Sequence, residues 1–361
     1  MIIPFGTQAP PGVETKTFDL GADTVIDGVT FRAGQRVTMA VSPAQSSNQD
    51  ETLQTYLGGY ANRQYVADLI SPPVLVDREA GKRRDHSATN AFAHIDTRAG
   101  RQGGVKEIQH ASELVPYQTQ EYALAAFIPW ASENDADANY RLRQSTSTML
   151  MNKLMLDREI RVKDHIFNPA NYASAVKTAL TTNFRWEAGS TKDIPGDIQR
   201  RIEASAMPVS FIVVSPRTAR VMFADSKVRD LMRSLHGDDR QTPDTIIAAS
   251  ASQQSVQFTL VGFPPFLIAP AKVMDNATGA LSNIWDGDVA LVSTASGYDE
   301  NEIASVMTFR HRGRSGSGII TNEYMPYGRG INGGTMLEVG FGETIFSPSN
   351  ITGGLIEDVT V

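Results

Sequence analysis

The 361-residue chain contains no cysteine. That excludes disulfides, thiolate chemistry and cysteine-based metal sites, and it fits a reducing cytosol. Long apolar runs are missing too. Phe211–Val214 and Tyr122–Ile128 are among the longest, and both fall far short of the ~20 residues that cross a bilayer. The N-terminus MIIPFGTQAPPG has neither the charged start nor the apolar core of a secretion signal, so no membrane role is expected. Histidine is sparse: His86, His94, His110, His165, His236 and His311 are all there is, and none forms an HxH or HExxH ligand pair. His86, His94, His110 and His311 lie in polar stretches that read as solvated, and no metal site is expected. Excess positive charge is also absent, with 33 Lys and Arg against 40 Asp and Glu, net charge −7. A protein that grips nucleic acid through its phosphates is normally basic. Contact with DNA would therefore need a local patch or enclosure.

Catalytic signatures fail one by one. Gly313-Arg314-Ser315-Gly316-Ser317-Gly318 looks like a phosphate loop, but Ile319-Ile320-Thr321 after it reads as strand rather than helix. A turn between strands is expected there. Ser174-x-x-Lys177 matches an acylating-serine motif without its companion Lys-Thr-Gly, and there is no Gly-x-Ser-x-Gly elbow. The only enzyme reading this leaves is a serine acyl-transfer enzyme using Ser174 and Lys177. Asp135-x-Asp137-x-Asn139 is not a calcium loop, because Tyr140 and Thr146 stand where Gly and Glu are required. Two basic clusters, Lys82-Arg83-Arg84 and Arg310-His311-Arg312-Gly313-Arg314, each read as a solvated face. The alternatives for them are an inter-subunit salt bridge or an inward patch facing DNA phosphates. No catalytic, cofactor-binding or metal-ligating residue is assigned, no cofactor is expected, and the chain does not read as an enzyme.

What is present is reach. Asn134–Asn168 reads as one uninterrupted helix of about thirty residues, a rod of about 50 Å. Asp135, Asp137 and Asn139 are placed to cap its start. Leu150 and Leu154, Met151 and Met155, Leu156 and Ile160, and Val162 and Ile166 lie four apart, each pair on one face. The apolar stripe drifts, so different stretches should bury against different elements. Asn168-Pro169 ends the rod. Before it, strands Val74–Asp77 and Glu121–Ile128 flank the polar excursion Arg78–Gln120. A connection of about forty residues is uncommon in a compact domain unless functional or disordered, and an extended hairpin is the sharper reading.

Elsewhere, Thr24–Met39 is strand-like with a hairpin signal at Asp27-Gly28, and Asp50–Leu69 is a short amphipathic helix. After the rod, helices are expected at Asp193–Ser205, Thr218–Phe223 and Thr245–Ala251. Strands are expected at Val209–Ser215, Gln257–Val261, Phe266–Ile268 and Asp288–Ser293, which together suggest an α/β layer. From Glu302 onward the pattern is strand: Ile303–Arg312, Gly318–Tyr324 and Thr335–Phe341. This last part should return to pack on the long helix.

Several phrases also resemble one family in order and spacing. They are Tyr65-Val-Ala-Asp-Leu-Ile-Ser-Pro-Pro-Val-Leu-Val-Asp-Arg-Glu-Ala-Gly-Lys82, Glu121-Tyr-Ala-Leu124, Leu156-Asp-Arg-Glu-Ile-Arg-Val162 and Phe167-Asn-Pro-Ala-Asn-Tyr172. Ile284-Trp-Asp-Gly-Asp-Val289 and Gly354-Leu-Ile-Glu-Asp-Val359 continue the series. Over roughly 55–361 the chain is similar to tailed-bacteriophage major capsid proteins. The resemblance implies an α+β, HK97-like capsid fold with an N-terminal arm, an extended β-hairpin loop, a long spine helix, a peripheral domain and an axial α/β domain. In these terms 1–72 is an arm or β element with a short helix, 73–130 the extended loop, 131–190 the peripheral domain with its spine, 191–300 the axial domain and 301–361 the returning peripheral strands. It implies a structural protein that self-assembles through hexamers and pentamers into an icosahedral head around double-stranded DNA. Portal, scaffold and cement proteins are the implied partners. The place is the virion capsid, assembled in the host bacterial cytoplasm. An encapsulin-like compartment shell is the alternative. Residues 1–48 are longer than the family leads one to expect. Lys82 and Lys106 lie in the loop, but no partner asparagine or catalytic carboxylate for an isopeptide crosslink can be matched.

Overall fold

The computed structural model describes residues 64–86, 112–135, 141–187, 191–236, 255–275, 278–295, 303–313, 318–326 and 333–360, with Leu57, His94, Arg98 and five short strands before residue 41. The chain divides into two units. The smaller comprises Met1–Asp50, Phe127–Tyr140 and Asn322–Leu337; the larger comprises Glu51–Ala126, Arg141–Thr321 and Glu338–Val361.

In the smaller unit, β1 (Ile2–Ile3), β2 (Thr15–Asp19) and β5 (Arg36–Ala40) form an antiparallel sheet in the order β1-β5-β2. Between β2 and β5, β3 (Thr24–Ile26) and β4 (Val29–Phe31) pair with Ile26 opposite Val29. The hairpin expected around Asp27-Gly28 therefore forms.

The larger unit begins with Leu57, helical and fully buried, and α1 (Ala67–Ile70), the last turn of the expected Asp50–Leu69 helix. Gln64–Val66 are not helical, so the expected helix is interrupted there, and the rest of it apart from Leu57 lies outside the described residues. Next come β6 (Pro73–Val76), β7 (Ala80–His86), β8 (Ser112–Gln118) and β9 (Gln120–Pro129). β7 and β8 pair antiparallel from Ala80↔Gln118 to His86↔Ser112. The excursion is thus a hairpin at its root, and its middle, apart from His94 and Arg98, lies outside the described residues.

The long helix is shorter than the sequence suggests. α2 (Trp130–Asp135) is a separate turn, and α3 runs Leu142–Ile166, 25 residues or about 37 Å. Its N-cap is Arg141, with non-helical backbone and no side-chain cap. Of the expected caps, Asp137, Asn139 and the side chain of Asp135 lie outside the described residues, and the helix start is set at Arg141 instead. At the far end Asn168 accepts a hydrogen bond from the Ala170 amide and opens a 3-10 turn, Pro169–Asn171.

The remaining elements are β10 (Lys177–Ala179), α4 (Ile194–Ala204), β11 (Phe211–Val214), α5 (Pro216–Ala224), α6 (Ser226–His236), β12 (Val256–Phe258), β13 (Phe266–Ile268), β14 (Lys272–Met274), β15 (Leu281–Asn283), β16 (Val289–Val292), β17 (Met307–His311), β18 (Ile320–Tyr324), β19 (Gly334–Phe346) and β20 (Gly354–Glu357). The expected helix Thr245–Ala251 lies outside the described residues. The helix α6 and the strands β10, β14, β15 and β20 were not expected.

A six-stranded mixed sheet runs β10-β20-β16-β11-β13-β12. Side chains alternate across a strand, and here the two faces meet different layers. Ile212, Val214, Phe266, Ile268 and Leu291 pack with Ile198, Met222 and Val228 from α4, α5 and α6. Val213, Leu267, Ala290 and Val292 face the other way, onto Val162 and Ile166 of α3, Ile70 of α1 and Val66 just before it. A sheet covered on both faces reads as continuous apolar strands, which is why FIVV, FLI and VALV show no alternation in sequence. β10 from the expected 131–190 segment and β20 from the expected 301–361 segment both lie in this sheet. The boundaries expected near 190 and 300 therefore do not delimit it.

A second sheet has the order β18-β19-β17-β6, with β9 also pairing β19. Close approach explains one glycine there: a Cβ on Gly340 would stand 2.8 Å from the Tyr122 carbonyl oxygen.

Candidate functional site

Midway along α3, two adjacent charged residues are sealed from solvent: Arg158 is 1% exposed and Glu159 0%. Burying a charge is costly unless it is paired and hydrogen-bonded, and both meet that condition.

Glu159 completes a helix far away in sequence. α1 has no side-chain cap of its own. The Glu159 carboxylate accepts hydrogen bonds from the Val66 amide at 3.1 Å, the Ala67 amide at 2.8 Å and the Trp285 indole Nε1 at 2.6 Å. It satisfies the free N–H groups of the first turn and carries the charge that turn favours. Burial pushes its carboxyl up from the ordinary value, against the pull of Trp285, the two amides and Arg158. Trp285, fully buried, stacks edge-on against Phe167 at 5.5 Å.

Arg158 points into a ring of acceptors: the Asp68 carboxylate, the Ser71 carbonyl at 2.8 Å and Glu343 of β19 at 3.1 Å. Glu343, 0% exposed, also takes Arg161 at 2.8 Å and Arg310 of β17 at 3.0 Å. Burial alone would raise its carboxyl, but the guanidinium groups of Arg158, Arg310 and Arg161 hold it below the usual carboxylate value. Asp68, Asp157 and Glu343 thus pair with Arg158, Arg161 and Arg310, and Glu159 senses the charge of Arg158 beside them. Aromatic faces flank the cluster, with Arg161 over Tyr122 at 3.5 Å and Arg310 over Phe341 at 4.5 Å.

The cluster is a fastener. It joins α1, α3, β17, β19 and the segment before β16, and its carboxylates are occupied by partners rather than offered to a substrate. The three phrases Tyr65–Ser71, Leu156–Val162 and Ile284–Val289, far apart in sequence, converge on it.

No family model matches the chain. A major capsid protein of Pseudomonas phage JBD67 is 24% identical over 194 residues, which covers 54% of this chain and 62% of that protein. The chain thus aligns with less than two thirds of that relative. Among solved structures, a phage-related protein from Bordetella bronchiseptica RB50 superposes with TM-score 0.64 at 18% identity, covering 87% of this chain and 99% of the other. A proposed capsid protein from a prophage of E. coli CFT073 gives TM-score 0.51 at 8% identity, over 86% and 98%. The chain has the HK97-like capsid fold.

Within that fold the hairpin root is gripped by aromatic contacts. Arg83 of β7 lies over the Phe346 ring at 3.9 Å, Phe346 meets Phe309 at 4.6 Å, and Phe309 meets Tyr117 of β8 at 5.1 Å. One member of each basic cluster therefore departs from the solvated-face reading, while the Arg84 side chain and Arg314 lie outside the described residues. Arg310 is buried in the charge cluster and Arg83 is half-buried, while Lys82 stays exposed. Arg312 is half exposed near Asp77 at 3.4 Å. His311, expected to be solvated, is half-buried with Nδ1 3.8 Å from Glu79, whereas His94 is exposed. His165 of α3 hydrogen-bonds Ser347 at 2.9 Å, and burial together with nearby Arg83 lowers its pKa.

The other motifs fall apart as chemistry. Lys177 donates to the Pro169 carbonyl at 2.8 Å, while Ser174 is exposed. Gly313 and Gly318, both at positive φ, lie between β17 and β18, so this is a connection between strands. Among the described residues no three His, Cys, Asp or Glu side chains are grouped to hold a metal.

Sequence reasoning missed Glu343 and the destination of Arg310. A signal existed: Glu343 is one of two acids, with Glu338, in the otherwise uncharged strand GTMLEVGFGETIF, and an acid buried there needs partners.

Proposed function

We propose that the chain is the major capsid protein of a tailed phage. It would be a non-catalytic subunit that assembles through hexamers and pentamers into the icosahedral head enclosing double-stranded DNA. The supporting observation is the capsid fold extending over 87% of the chain, with three of the six family-like phrases meeting in one buried fastener. Such a subunit must hold its shape while neighbours pull on its projections. A charge cluster that fixes α3 against β19, beside the root of the β7–β8 hairpin, suits that task. In this reading α3 is the spine, the hairpin lies over an adjacent subunit, and the six-stranded sheet belongs to the axial domain. Portal, scaffold and cement proteins are the partners, assembly takes place in the host cytoplasm, and the finished location is the virion capsid. Many repeated contacts of moderate size add through multivalency.

Negative-stain electron microscopy with light scattering, on the chain expressed alone and with its phage scaffold, tests this. Closed particles or six- and five-membered rings are the expected result. A uniform monomer under both conditions would overturn it. Particles filled with protein cargo instead of DNA during infection would point to a compartment shell.

A further inference from the structure

The six-stranded sheet ends in an open edge. β10 stands last in its order, with β20 as its one partner among the described residues. The Leu355 amide donates to the Val176 carbonyl at 3.1 Å, and the Leu180 amide to the Glu357 carbonyl at 3.0 Å. Val176, Thr178 and Leu180 thus bond toward β20, while Lys177 and Ala179 turn their N–H and C=O groups outward. Native sheets usually blunt such an edge, and Arg201 of α4 does so in part. Its Nη1 donates to the Ala175 carbonyl at 2.7 Å and to the Lys177 carbonyl at 3.2 Å. Ala179, exposed, receives no such cover among the described residues. Beside it lies an open cleft of about 250 Å³, lined by Thr178, Leu180, Phe184, Asp197, Arg200 and Arg201.

Three features of the cleft select an occupant. An outward amide and carbonyl on one residue suit an antiparallel strand, whose facing residue exchanges both hydrogen bonds. The Phe184 ring, 50% exposed, offers apolar surface past the Leu180 end, where its amide closes a turn onto the Thr181 carbonyl at 2.8 Å. Toward the Lys177 end, α4 brings Arg200 and Arg201 against one carboxylate, Asp197, already held by Arg200 and by the Trp186 indole at 3.0 Å. Arg201 is bonded to neutral carbonyls, so positive charge is in excess here although the whole chain carries −7. We propose that β10 takes up a short extended segment of another protein, antiparallel, with the pattern apolar–any–acid. Leu180 packs with Ile198 of α4, and Thr178 shares that face. A residue opposite Leu180 therefore points onto Phe184, and one opposite Thr178 points toward Arg200 and Arg201. The residue between them pairs with Ala179. A polynucleotide would satisfy the arginines but not the strand edge.

The probe is a fluorescein-labelled peptide Thr-Leu-Thr-Glu-Thr, capped at both ends, titrated by anisotropy with the full chain as unassembled subunit. Two control peptides differ by one group each: lysine in place of the glutamate, and N-methylation of the central threonine, which removes its donor to the Ala179 carbonyl. The probe should bind at least about tenfold more tightly than either control, each having lost one hydrogen bond or ion pair of a small interface. Arg200→Glu, with unchanged circular dichroism, should reverse the preference between glutamate and lysine. Ala179→Pro removes only the outward amide, which an edge strand allows, and should abolish binding. If that variant fails to fold, the N-methylated peptide makes the same cut from the other side. Equal binding of the three peptides, or binding of none, would overturn the proposal and leave the capsid reading untouched. An Ala179 amide already protected from hydrogen exchange in the subunit alone would also overturn it, because a segment of the chain itself would then fill the edge. So would a short oligothymidylate that binds as tightly as the probe, which would make the arginines a phosphate site.

Discussion

Two parts of the larger unit are equally dry and built on opposite principles. The six-stranded sheet is sealed by hydrocarbon: Ile212, Val213, Val214, Phe266, Leu267, Ile268 and Leu291 are all 0% exposed. The junction of α3, β17 and β19 is sealed by charge, with Glu159, Glu343, Arg158 and Arg310 all at or below 5%. Hydrocarbon packing tolerates small errors, since apolar contacts are non-directional. A buried charge network tolerates few, because each group must find its partners or remain uncompensated. The sheet thus supplies bulk stability and the junction supplies geometry. Under the proposed shell function, that division suits a subunit whose spine and loop root must keep one relative setting.

The largest expected effect breaks the junction. Glu343→Ala strands the guanidinium groups of Arg158, Arg161 and Arg310 without their shared carboxylate. Removing one partner of a buried ion pair costs about 3–5 kcal/mol, to be read from urea denaturation of the unassembled subunit. A one-methylene error in the sheet, Ile212→Val, is expected to cost only about 0.5–1.5 kcal/mol, the kind of small change that apolar packing tolerates. Comparable losses at the two sites would refute the contrast. The same carboxyl carries an acid signature. Its pKa is lowered in the fold, so its stabilisation is present above the unfolded value and is lost as pH falls through the folded one. Glu343→Ala should therefore flatten the acid limb of the stability curve.

Glu159→Gln sharpens the comparison. The amide keeps the shape and one acceptor oxygen but turns an NH2 toward donors at Val66, Ala67 or Trp285. A buried donor facing donors costs about 1–3 kcal/mol. Hydrogen exchange should show the loss first at the amides of Val66 and Ala67.

These residues also mark how far the sequence could be read. The apolar sheet was legible: its runs were expected as strands at 209–215, 266–268 and 288–293, and β11, β13 and β16 lie there. Strand order was not legible, because β10 and β20 are single short segments that acquire meaning only as neighbours. The phrases around Tyr65, Leu156 and Ile284 pointed to the fold, but nothing local says that they touch. Glu159 caps a helix 93 positions before it, a tertiary contact with no periodic trace. The start of α3 was misplaced because Asp135, Asp137 and Asn139 carry the same preference as helix caps and as helix breakers. Arg310 was read as solvated because its neighbours Arg312 and Arg314 are charged, whereas β17 is buried on both faces from Met307 to Arg310 and leaves it no solvated side.

The smallest expected effect lies where the fastener meets the hairpin. Arg83 joins β7 to the Phe346 ring, and its charge also bears on His165, which burial already holds below the ordinary histidine value. Arg83→Met keeps most of the aliphatic length and removes the charge. A cation–π contact at a half-exposed site is worth about 0.5–1 kcal/mol, so global stability should fall by no more than that. The telling readout is the His165 titration, followed by its ring proton resonances. A lowered folded pKa means that the neutral ring is the form the fold accepts. Stability is then lost as pH drops below the unfolded histidine value and toward the folded one. Without Arg83 the folded pKa should rise but stay below ordinary, because burial, the larger cause, persists. The acid-side loss attributable to His165 should shrink accordingly. An unchanged titration would mean that Arg83 and His165 do not sense each other, and that the hairpin root is held by packing alone.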